Sequence, residues 1–87
     1  MEILSVKDLE KRVKHAEKAV EATETIIHDL WVQTSVTLDD DLSQRLQMKI
    51  ARFTYRLNQE KQVLHDAQER LRRTKADFQR FGERNTL

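Results

Sequence analysis

From Val6 onward the chain sets Val6, Leu9, Val13, Ala16, Val20, Thr23, Ile27 and Leu30 at alternating steps of three and four residues, and only the threonine departs from an apolar seam. That 3.5-residue period is the coiled-coil period, with Val and Ile at a positions and Leu, Ala, Thr and Leu at d. A second series runs through Leu46, Ile50, Phe53, Leu57, Glu60, Leu64, Ala67, Leu71, Thr74, Phe78 and Phe81. The pattern predicts two helices, the second longer, with one polar residue, Glu60, on its seam.

The stretch LWVQTSVTLDDDL separates the two series. Thr34, Ser35, Val36 and Thr37 are β-branched or hydroxylated and compete poorly in a helix interior. They predict a corner over 34–37 between a first helix of about 5–33 and a second of about 38–81, spanning about 40 and 66 Å. Ser5 with Asp8, and Thr37 with Asp40, read as helix starts in which a hydroxyl caps and an acid follows three residues on. Gly82 suits a left-handed position closing the second helix, which leaves 82–87 as a tail. So short a corner folds the helices back antiparallel. Setting a against d around it places Ile27 by Leu46, Thr23 by Ile50, Val20 by Phe53, Ala16 by Leu57, Leu9 by Leu64 and Val6 by Ala67, with Glu60 opposite Val13.

Composition narrows the class without changing this picture. The chain has 87 residues, no proline, one glycine, 36% charged and 38% hydrophobic residues, which fits one all-α domain, a two-helix antiparallel coiled-coil hairpin with a thin core. The absence of cysteine excludes disulfides and thiolate metal sites and is compatible with a reducing compartment, so the cytoplasm is the expected location. No leader-like segment and no apolar run of membrane-spanning length is present, so neither secretion by that route nor a transmembrane helix is expected.

Candidate chemistry is sparse. Asp39, Asp40 and Asp41 point about 100° apart on a helix, so they serve a helix start better than a cation. His15, His28 and His65 are scattered, and no metal or other cofactor is expected. Nor is there a cysteine nucleophile, a glycine-rich phosphate loop or a pocket to shelter a serine and a histidine, so catalysis is not expected.

Surface residues carry more. On the outer side of the second helix Met48 and Tyr55 stand one heptad apart among Arg45, Arg52 and Arg56, a composition like that of protein interfaces. Trp31, beside the corner, either caps the core or anchors a contact. In the register above, Leu71, Thr74, Phe78 and Phe81 outrun the first helix and need a cover, either the N-terminus or flanks of a longer protein, or a second copy or a partner helix. Net charge is only +1, but residues 67–87 hold six bases against three acids. Arg70, Arg72, Arg73, Lys75, Arg80 and Arg84 make a basic patch suited to weak binding of nucleic acid or anionic membrane.

The run LEKRVKHAEKAVEATETII, a short corner, and TLDDDL leading into a leucine-bearing helix together resemble the Rho-effector homology-region hairpins of protein kinase N and the Toca family, over about residues 5–71. The resemblance implies binding of a Rho-type small GTPase through helix faces, by the strip Met48, Arg52, Tyr55 and Arg56 or by the helix ends. The glycine often found late in that family's first helix is absent here. The segment KADFQRFGER is similar to the last helix of sorting-nexin BAR domains, although these helices are too short for a full BAR. The sequence thus predicts a non-catalytic protein-interaction hairpin that binds a partner or self-associates, the alternative being a basic helix on membrane or nucleic acid.

Overall fold

A computed structural model describes the backbone of residues 5–85 and the side chains through residue 79. It is all-α: α1 (Val6–Val36) and α2 (Asp40–Asn85) pack antiparallel along their lengths, and α2 is the longer. The molecule is a rod of 71 × 22 × 14 Å.

Each helix end has a local cause. The Ser5 side chain accepts from the Asp8 N–H at 3.2 Å and donates to the Asp8 carboxylate at 3.0 Å, starting α1 where the sequence placed it. The far end of α1 differs from expectation. Thr34, Ser35 and Thr37 do not break the helix, because their hydroxyls donate to the carbonyls of Leu30, Trp31 and Gln33 at 2.8, 2.9 and 2.6 Å. These bonds run from each hydroxyl to the carbonyl four residues back, so the side chains are satisfied without turning the backbone out of the helix, and only the Gln33 carbonyl is among the last four of α1. Thus α1 continues to Val36 and the corner shrinks to 37–39. Thr37 ends α1 and does not begin α2. The starting role falls to Asp39, whose Oδ1 accepts from the N–H groups of Asp41 and Leu42 at 2.9 and 3.3 Å. Gly82 is a further correction: α2 runs through it to Asn85, and no described residue has positive φ. One glycine costs a helix only about 1 kcal/mol, too little to force an end.

Lengthening α1 also moves the register. In the expected alignment Thr23 and Glu60 would lie about 15 Å apart along the axis, yet the Thr23 hydroxyl donates to Glu60 Oε1. Likewise Lys75, which the expected alignment leaves beyond the start of α1, has its Nζ 3.5 Å from Glu10 Oε1. A slip of one heptad along α2 keeps a facing d and brings both pairs within about 5 to 8 Å axially, inside the reach of these side chains. It also places Leu30 level with Ile50, and those two form the core cluster with Leu46, packed by Ile27 and Phe53.

Candidate interaction surface

The seam is well buried on α1, where Leu9, Val13, Ala16, Val20, Thr23 and Leu30 are covered, but among the described side chains of α2 only Leu46 and Ile50 reach that state. Phe53, Leu57, Leu64, Ala67, Leu71 and Thr74 are half-buried. Thr23, 1% exposed, is the buried polar residue of the seam. Its hydroxyl is satisfied by Glu60, whose carboxylate also lies 3.8 Å from Arg56 Nε, so the polar layer carries its own partners.

Where the seam passes through alanines the helices leave a groove of about 750 Å³. Leu9, Ala16, Ala19, Val63 and Ala67 form its apolar lining, and Lys11, Arg12, His15, Arg56 and Arg70 stand about it with Glu60 and Asp66. Methyl side chains on both helices cannot meet across the gap, which is why the surface opens there and closes near the corner.

The structure distributes the sequence candidates unevenly. Met48 and Tyr55 are exposed, as are Arg52 and Arg56, although Arg56 also reaches Glu60 and lines the groove. Trp31 is also exposed, as are Val32, Val36, Leu42 and the fully solvated Leu38 (100%), so apolar side chains flank the corner in sequence together with Asp39, Asp40 and Asp41. Leu71 and Thr74, expected beyond the hairpin, are instead half-buried within it, a direct result of the heptad slip. Phe78 is 56% exposed, and the Phe81 side chain lies outside the described residues.

Internal pairing takes up much of the basic patch. Arg72 and Arg73 lie 3.0 and 3.9 Å from Glu69, and Lys75 binds Glu10. The Arg72 hydrogen bond and charge hold the Glu69 carboxyl below its ordinary value and raise Arg72 above its own. Arg70 faces the groove, while the side chains of Arg80 and Arg84 lie outside the described residues.

Among the described residues no group of three or more His, Asp or Glu side chains comes together as a metal site would require. No helix among them is long and apolar enough to cross a membrane.

Sequence reasoning missed the groove. Heptad letters mark which positions face the partner helix but not how completely their volumes fill the space; the signal was the run of small residues Ala16, Ala19 and Ala22. No family model, curated protein or solved structure matches the chain.

Proposed function

We propose that the chain is a non-catalytic protein-interaction module, a helical hairpin that binds a partner protein through surface its own seam does not bury. The observation that carries this reading is the exposed row Met48, Arg52, Tyr55 and Arg56 on α2. An exposed methionine and tyrosine among arginines have no role within the hairpin, yet they are the residue types that anchor interfaces. A helical protein or a small GTPase of Rho type fits such a row. Self-association through Phe78 is the scaffold form of the same reading.

The test is a pull-down from cell extract with the wild type, Tyr55→Ala and Phe78→Ala, beside light scattering of each. A protein retained by the wild type and lost with Tyr55→Ala supports the surface. A lower mass with Phe78→Ala supports self-association. Equal retention and equal mass in all three would overturn both.

The competing reading, a basic end on anionic membrane or nucleic acid, draws on Arg70 and the bases near it. The ion pairs at Glu69 and Glu10 reduce the free charge available there. Binding to duplex DNA should therefore be weak and fade steeply between about 50 and 200 mM salt; affinity that survives high salt would promote this reading.

A further inference from the structure

We propose that the groove, with the basic row that continues from it toward the corner, is a docking channel for an acidic amphipathic helix of a partner protein. This rests on the partner-binding reading above and names the chemistry of the partner.

The channel follows from heptad geometry. Residues seven apart share a side of a helix in this register. On α1 the groove residues Ala19 and His15 are followed at such steps by Ile26, Ala22 and Val36; on α2 Arg56, Gln59 and Val63 are preceded by Lys49, Arg52, Arg45 and Leu42. The groove is therefore one end of a longer strip. Its apolar line includes Ala19, Ala22, Ile26 and Val63, and Ile26 and Val63 are exposed.

Charge on this strip is lopsided. Between Leu42 and Gln59 this side of α2 carries Arg45, Lys49, Arg52 and Arg56 and no acid, the acids Glu60 and Asp66 standing only at the groove end, and the facing side of α1 adds only Asp29. Among the described residues Arg45, Lys49 and Arg52 enter no ion pair, and Arg56 reaches Glu60 only at 3.8 Å. An apolar line beside a row of uncompensated bases suits a ligand with the opposite edge charge and a similar apolar line.

Shape selects a helix. Ala16, Ala19 and Ala22 follow one another at three-residue steps, so a third backbone can lie parallel to the channel at ordinary helix–helix distance, about 8 to 10 Å, with its knobs over the alanines. A bilayer fits less well, because Leu9 and Ala16, at the floor of the groove, are buried below the level a flat surface reaches. A second copy fits poorly too. Its matching side would bring arginines against arginines, and its acidic row Glu10, Glu17 and Glu24 offers only Trp31 as a large apolar side chain in the same line.

The test uses a fluorescein-labelled synthetic peptide of about 20 residues, with leucine and alanine on one face and glutamate along both edges. The same composition scrambled serves as control, and phosphatidylcholine–phosphatidylserine vesicles form a third arm. Fluorescence anisotropy with the full chain should show the amphipathic peptide binding at least about tenfold more tightly than the scrambled one. Ala22→Glu, and Arg52→Glu with Arg56→Glu, should each weaken it by a similar factor, while Lys14→Glu on the other side of α1 should not. Circular dichroism confirms that these exposed substitutions leave the helices intact.

Equal binding of the scrambled peptide, equal weakening by Lys14→Glu, or capture by vesicles but not by the peptide would each overturn the proposal. A partner lost with Tyr55→Ala but kept by Ala22→Glu would overturn the channel while leaving the broader reading in place.

Discussion

Near the corner, Leu30, Leu46 and Ile50 are buried in one cluster with Ile27 and Phe53 against it; toward the open end α1 is still covered, but Leu64, Ala67 and Leu71 facing it on α2 are only half-buried. Both regions obey the same heptad. What differs is volume, since branched and aromatic side chains seal the first region while Ala16, Ala19 and Ala67 leave the second open as a groove. The Thr23–Glu60 layer lies between them. One repeat therefore yields a closed core and an open surface in a single hairpin, and the open part is where a partner can be accommodated.

The largest expected effect tests that difference in burial. Ile50→Ala should cost about 2 to 5 kcal/mol, the usual range for truncating a buried aliphatic residue, and Leu64→Ala clearly less because solvent already reaches it. Urea melts followed by circular dichroism measure both. Equal losses would erase the distinction between the two regions.

The boundary layer comes next. Thr23→Val removes the donor that satisfies Glu60 and should cost roughly 1 to 3 kcal/mol. Adding Glu60→Leu should restore most of that stability while loosening the register, because an all-apolar seam repeats every heptad and a single polar layer singles out one alignment. Spin labels at the exposed positions Glu17 and Asn58 would then report a broader distance distribution than in the wild type; an unchanged one would remove the register role from this pair.

A smaller effect belongs to the corner, where Asp39→Ala should cost about 1 kcal/mol by taking the acceptor from the first turn of α2.

The smallest is a pH effect at the open end. Glu69 is held below its ordinary value in the folded chain, so its contribution is fully present above the unfolded carboxyl value, about pH 4.3, and is lost as pH falls through the lower folded value. In an NMR titration its midpoint should rise toward the ordinary value in Arg72→Ala. An unmoved midpoint would mean that the Arg72 bond does not hold in solution.

The sequence made the two helices and their antiparallel return readable because burial of one stripe dictates the 3.5-residue period. It did not make the alignment readable, because a slip of one heptad keeps a facing d along the seam, and the two registers differ in polar pairs, Thr23 with Glu60 and Glu10 with Lys75, that periodicity does not weigh. The corner was misplaced because Thr34, Ser35 and Thr37 are poor helix formers on average, whereas here each hydroxyl bonds the carbonyl four residues back. That misplacement produced the apparent overhang at Leu71 and Thr74. The exposed strip of Met48 and Tyr55 was legible because it lies off both seams, while the groove depends on side-chain volume across the interface, which periodicity alone does not describe.

The corner has a further consequence for how the hairpin forms. Its three residues need no glycine and no left-handed backbone, and its capping bonds all run between residues two to four apart. The first loop to close is therefore short, and the core cluster lies directly behind it, so initiation is cheapest at this end and later contacts form in sequence order away from it. Opening should run in reverse. Amide hydrogens beside the groove should exchange with solvent sooner than those of Ile50 and Phe53, so the channel side of the hairpin can breathe while the corner stays shut.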